Sequence, residues 1–273
     1  MFNSTVLEVA IGLVFCYASV ALITSSIYEA IASWLNLRSK TLFQGIQSLL
    51  NEGKGSNQTL LLGIYNHALV SPLGSGSANK IEEIKTKPSY IESKNFASAL
   101  IQTVQSASGD FVKLGQDING IRNDQMKQLL RGMYDSSAGN IEKFQSDLAA
   151  WFDSGMDRLS GTYKRQSQLW CFVIALILAG IFNIDSLHLF TTLWQHPALV
   201  EQISNPATPS SEAALEKLQM LPIGWITNNF CFSSVIGWLL TASASLFGGP
   251  FWFDLLKQLI NLRGTGNKPE RAL

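Results

Sequence analysis

Charge is what this chain has least of. Asp, Glu, Lys and Arg make up 15% of its 273 residues, against about 25% in an average soluble protein. Its 20 acidic and 20 basic residues cancel, which argues against a strongly basic nucleic-acid binder. There are three cysteines, Cys16, Cys171 and Cys231, and no Cys-x-x-Cys pair; neither a disulfide framework nor a zinc site is expected. Catalytic signatures are missing too: no G-x-S-x-G, no H-E-x-x-H and no paired D-x-D occurs. The Gly74 to Lys80 stretch has the composition of a phosphate loop but neither its spacing nor a preceding strand, and reads as a flexible linker. No catalytic residue, metal or cofactor is expected, and an enzyme is the class with least support.

The charges that do occur avoid three long runs. Val9 to Tyr28 is uncharged, and at about 1.5 Å per residue it reaches roughly 30 Å, the thickness of a bilayer's hydrocarbon core. A second run, 166–184, lies between Arg165 and Asp185; a third is free of charge from Leu218 to Phe253, with a helix expected from Trp225 to about Leu246. Trp34, Trp170, Trp225 and Trp252 fall near the ends of these runs, where indoles favour the membrane interface. One threading places all 20 basic residues except Lys217 on a single side, which is then cytoplasmic. The expected organisation is an all-α membrane protein with three transmembrane helices: 1–35, N-terminus outside; a cytoplasmic helical module, 36–165; a second span, 166–185; an extracytoplasmic loop, 186–222; a third span, 223–249; and a cytoplasmic amphipathic helix and tail, 250–273. His67 is then inside and His188 and His196 outside, so the three cannot share a metal. The sequons at Asn3 and Asn57 carry no weight, the second being cytosolic.

The module reads as helical throughout. Ile27, Ile31, Trp34 and Leu35 continue the first helix, Leu42 to Leu50 repeat at helical spacing, and Leu60 to Val70 form another helix. Ser93 is a helix-capping candidate; Gly109, Gly115 and Gly120 mark turns, and helix resumes over about 124–134. Ile141, Phe144, Leu148, Trp151 or Phe152, Met156, Leu159 and Tyr163 follow a 3-4 spacing that predicts one rod running unbroken into the second span. That stripe packs on helices of the same chain or on a second copy; the spacing alone leaves both open.

Small and weakly polar residues recur in the third run at Ser234, Gly237, Thr241, Ser245 and Gly248, a stripe suited either to close helix packing or to lining a pore. A looser stripe, Gly12, Cys16, Ser19, Ser26, Ala30 and Ser33, marks the first run. Glu29 and Asp254 are candidate gate or interface charges, and Gly248, Gly249 and Pro250 a candidate hinge before an interfacial helix. These features predict a lipid-embedded homo-oligomer with a cytoplasmic ligand or protein partner, and give no sign of nucleic acid.

Two runs, Met156-Asp-Arg-Leu-Ser-Gly-Thr-Tyr-Lys-Arg165 and Gly249-Pro-Phe-Trp-Phe-Asp-Leu-Leu-Lys-Gln-Leu-Ile-Asn-Leu-Arg-Gly264, together with Asn183-Ile-Asp-Ser186 and Leu193 to Leu199, resemble those of a broad set of uncharacterised bacterial inner-membrane proteins. Thr162 stands where that set usually has an aromatic. The resemblance implies a bacterial inner membrane and no catalytic motif. The function expected is non-enzymatic: a ligand-gated ion-conducting or membrane-disrupting effector, for example in anti-phage defence, or else an anchor that recruits a cytoplasmic partner through residues 36–165. A lipid- or small-molecule-binding membrane protein is a third reading.

Overall fold

A computed structural model describes residues 5–53, 58–195, 223–225 and 232–264. Among the described residues the regular structure is α-helical, with one short 3₁₀ turn at Ile81–Glu83 and no strand. The helices are α1 (Thr5–Trp34), α2 (Leu37–Leu49), α3 (Thr59–Asn66), α4 (Ser93–Val104), α5 (Phe111–Asn119), α6 (Asp124–Ser136), α7 (Ile141–Ile181), α8 (Ser186–Gln195), α9 (Phe232–Ser245) and α10 (Gly249–Gly264). The chain divides into two units, residues 32–164 and residues 1–31 with 165–273. The expected first turns of the third span at 226–231, the loop from 196 to 222, the tail from 265, His196, Lys217, Cys231 and both sequon asparagines lie outside the described residues.

Residues 32–164 close around an apolar core. Phe43 and Ile46 of α2, Leu61 and Ile64 of α3, Phe96 and Leu100 of α4, Leu114 and Ile118 of α5, Met126 and Leu130 of α6, and Phe144, Leu148 and Phe152 of α7 are all buried. Phe96 stacks on Phe152 at 4.0 Å between ring centroids, and Phe111 on Tyr134 at 4.3 Å. Polar side chains supply the helix ends. Asp110 accepts from the Lys113 amide at 2.9 Å, Asn123 from Met126 at 3.1 Å and Asn140 from Lys143 at 2.9 Å, each occupying an amide that has no intrahelical acceptor. Helix α3 is capped from a distance: Glu52, 4% exposed, accepts the Leu60 and Leu61 amides at 3.1 and 2.9 Å. Two expectations are corrected here. Helix α3 stops at Asn66, before Val70, and Gly115 lies inside a helix instead of a turn. The Tyr134 ring occupies the space a side chain at Gly115 would need, so glycine there serves a close packing contact.

The apolar unit is built differently. Helix α1 buries Val9, Ile11, Val14, Phe15, Cys16 and Val20 against Ala175 and Ala179 of α7, Leu189 and Leu193 of α8, Ala242 of α9 and Leu256 of α10. It is long and apolar enough to cross a bilayer; α7 with α8 and α9 with α10 pass the same test as bent pairs, at 54° and 94°. Outward faces are apolar as well. Leu169, Val173, Ile177 and Ile181 repeat every fourth residue on α7 and are exposed, as are Phe232, Ile236, Leu239 and Leu240 on α9. Faces of this kind are tolerated in hydrocarbon and mark interaction surfaces in water. The first ten residues of the 186–222 segment form helix α8, which buries Ser186, Leu189 and Leu193.

Candidate functional site

The polar chemistry of the apolar unit gathers where α7 breaks into α8. The end of α7 is set by Asn183, which takes a left-handed conformation at φ 46°. The Ile184 amide then reaches back to the Ala179 carbonyl at 2.8 Å and the Asn183 amide to Gly180 at 3.3 Å, the paired bonds that close a helix C-terminus. Two residues on, Asp185 starts α8: its Oδ1 accepts the Leu187 amide at 2.9 Å and the His188 amide at 3.2 Å. A helix end and a helix start thus fit within four residues.

Those four residues face the small-residue stripe of α9. A methyl built on Gly237 would overlap Asp185 Oδ1 and come within 3.2 Å of Asp185 Cα, so only glycine lets the break approach. One turn along, the Thr241 hydroxyl reaches the Ile184 carbonyl at 2.7 Å, the Gly237 carbonyl at 3.0 Å and Ser186 Oγ at 2.7 Å. Thr241 has a single proton, and two of its partners are carbonyls, so it donates there and Ser186 donates to it. Ser186 in turn accepts from the Tyr17 hydroxyl at 3.1 Å. The protons therefore run one way, from Tyr17 through Ser186 and Thr241 to backbone carbonyls. Asn183 completes the cluster, accepting from Trp238 Nε1 at 3.1 Å and donating to the Gly224 carbonyl at 3.2 Å, while Trp225 Nε1 donates to Ile181 at 3.0 Å.

Each of the sequence candidates has a definite place. Ser234, Gly237, Thr241 and Ser245 are buried within the protomer, Thr241 at 0% exposure. Gly248, partly buried, adopts φ 85°, a conformation glycine takes without strain, and it opens the 94° bend before Gly249 and Pro250. The bend is held by Trp252, whose Nε1 donates to the Ala244 carbonyl at 2.8 Å and whose ring lies 5.1 Å from Tyr17. Gly249 packs 3.8 Å from the Leu22 backbone of α1, measured from the position of an added Cβ. Asp254 is exposed and pairs with Lys257 at 3.8 Å, one turn along α10. Glu29 is exposed and makes an interaction of its own. The structure brings the stripe and the break together; Glu29 and Asp254 are not part of that cluster. Tyr17, Asn183, Asp185, Ser186, Trp225, Trp238 and Trp252 take part without being site candidates of the sequence. An Asn followed after one residue by Asp-Ser, directly ahead of an apolar helical repeat, is a legible stop-and-start signal.

The second feature is a cleft of about 440 Å³ in residues 32–164, walled by α2, the 89–91 segment and α7. A smaller cavity, about 260 Å³, lies under the Gly74 to Gly76 loop. Among the described residues no group of His, Cys, Asp and Glu is placed to hold a metal. No family model, no curated protein and no solved structure matches this chain.

Proposed function

We propose that the chain is a non-enzymatic, self-associating bacterial inner-membrane protein that crosses the bilayer three times, with residues 36–165 and the C-terminal helix in the cytoplasm. The module senses a ligand or partner and α7 carries that state to the membrane. One observation carries this reading: α7 is a single helix of 41 residues. Its first half contributes Phe144, Leu148 and Phe152 to the module's core, and its second half contributes Ala175 and Ala179 to the core of the apolar unit. A helix without a break transmits displacement along its axis, whereas a flexible linker would absorb it. The output in this reading is ion passage or membrane disruption, as in an anti-phage effector.

The anchor reading rests on a separate observation, the burial of Ser234, Thr241 and Ser245 inside the protomer, which suits packing better than pore lining. Planar-bilayer recording from purified full-length protein, with its oligomer mass measured in parallel, separates the two. Discrete currents from an oligomer support the effector; a silent protein that recruits cytoplasmic protein through residues 36–165 supports the anchor. The threading is tested by single-cysteine labelling with an impermeant thiol reagent. Ser204→Cys should react from outside in intact cells and Ser77→Cys only after permeabilisation.

A further inference from the structure

The cleft between α2 and α7 has a built asymmetry. Its floor is apolar, with Leu42, Ile91, Phe152 and Met156 among the lining residues. Its α7 side carries two carboxylates, Asp153 and Asp157, four residues apart and therefore on the same face of the helix. Neither makes an ion pair or hydrogen bond among the described residues, although charged neighbours on other surface helices do pair, Lys113 with Asp117, Lys127 with Asp124 and Arg131 with Asp135. Like charges at this spacing repel. Arg38, the one cation lining the cleft among the described residues, has an interaction of its own. Tyr90 lines the same cleft, 77% exposed and next in the chain to the buried Ile91. A large aromatic left open in a cleft with two unneutralised carboxylates and an apolar floor is the combination that holds an organic ammonium: carboxylates for the charge, a ring face for the cation, and the floor for its hydrocarbon.

We infer that this cleft binds a small organic cation with an apolar body. An anion of the same shape would lie against both carboxylates, and a bare metal ion would leave the apolar floor unused. The volume falls in the range of small-molecule sites, about 300–1,000 Å³. Because Phe152 and Met156 belong to α7, an occupant touches the helix that runs on to Ile181. That consequence rests on the sensing role proposed above; the binding itself does not.

The test uses the full-length protein in lipid nanodiscs and dansylcadaverine, a primary amine joined by a hydrocarbon linker to an aromatic fluorophore. Saturable binding is expected, with the N-acetylated neutral analogue binding far more weakly. Asp153→Asn with Asp157→Asn should weaken the amine by about tenfold or more, the loss expected when charge-assisted contacts are removed. Both positions are exposed, so the fold should survive, and the same double variant subtracts partition into the lipid. Tyr90→Ala should weaken binding to a smaller extent. Equal binding of the acetylated analogue, or full affinity in the double variant, would overturn the proposal. Carboxylate-dependent binding that changes neither current nor oligomer mass would uphold the site and sink the sensing role.

Discussion

The two units of this chain solve the same problem, holding helices together, with different proportions of large, small and polar side chains. Residues 32–164 use large aromatic and aliphatic side chains, with Phe96, Phe144 and Phe152 each buried to 1% exposure or less. Several of their polar side chains, Glu52, Asp110, Asn123 and Asn140, serve helix ends. The apolar unit sets its large side chains, Ile11, Phe15, Leu189 and Leu193, against small ones, Ala175, Ala179, Gly237 and Ala242, and places hydroxyls and an aspartate in the interior. The membrane setting proposed above accounts for the difference. In water, apolar burial drives association at about 25 cal/mol per Å². Between helices in hydrocarbon that drive is absent, so close approach and hydrogen bonds take its place.

The comparison is broken most easily through the largest side chain. Phe152→Ala removes a ring stacked on Phe96 and should cost about 3–5 kcal/mol, the usual loss for a buried aromatic. Hydrogen exchange should show amides of residues 32–164 losing protection while those of α9 keep theirs. Equal loss in both units would mean that they do not unfold separately.

Glycine gives a sharper contrast. Gly237→Ala drives a methyl into Asp185, whose carboxylate is pinned by two amides, and overpacking of this kind costs about 1–3 kcal/mol. Gly45→Ala in α2 meets the Leu159 side chain alone, both methyls and, at 3.0 Å, its Cγ, and no backbone atom, so a rotation of that one side chain relieves it. The helix-propensity gain of about 1 kcal/mol then offsets the shift, and the net change should be near zero. Thermal denaturation of the two variants in nanodiscs measures the pair. Similar losses from both would show that the break in α7 is no tighter than an ordinary helix contact.

What was legible in the sequence divides along the same line. Periodicity in residues 141–163, read with the uncharged run that follows, anticipates the unbroken α7 and the middle of its buried face, Phe144, Leu148 and Phe152, because large side chains at 3-4 spacing admit few alternatives; Ile141, at the start of the same stripe, is exposed. The small-residue stripe at Ser234, Gly237 and Thr241 was visible, but not its partner. Small residues announce close approach without saying to what. The partner is a four-residue break whose Asn and Asp act by capping, a local signal that the uncharged run next to it overshadows. Gly115 misled for the opposite reason: glycine marks a turn by default, and here Tyr134 needs the space. The 440 Å³ cleft was not legible at all, since Leu42, Ile91 and Phe152 meet only when α2, the 89–91 segment and α7 have folded.

A subtler break acts on one proton. Thr241→Val keeps the shape of the α9 contact but removes the acceptor for Ser186 and the donor to Ile184. The expected loss is about 1 kcal/mol, at the level of hydrogen bonds measured between membrane helices. Tyr17→Phe removes only the first donor in the same chain, so its effect should be smaller, and the double variant should cost less than the sum. Strict additivity in denaturation of the three proteins would mean that the hydroxyls act independently.

The smallest effect expected is one of pH, and it belongs to the other unit. Glu52 is buried, and burial pushes its carboxyl above the ordinary value of 4.5, with the Leu61 and Leu60 amides opposing that shift in part. The folded chain therefore holds this proton more tightly than the unfolded chain. Its contribution to stability is complete below 4.5 and is lost as the pH rises through the raised folded value. Residues 32–164 should accordingly lose stability over that window, and Glu52→Gln should flatten this part of the profile. The substitution also replaces one acceptor of the α3 amides with a donor, so the variant should be less stable at the acid end and closer to the parent above the window. Hydrogen exchange of the α3 amides across the pH range measures both features. A profile for the Glu52→Gln variant that runs parallel to the parent's would show that the two amides fully offset burial, leaving Glu52 a helix cap with no titration of its own in the folding equilibrium.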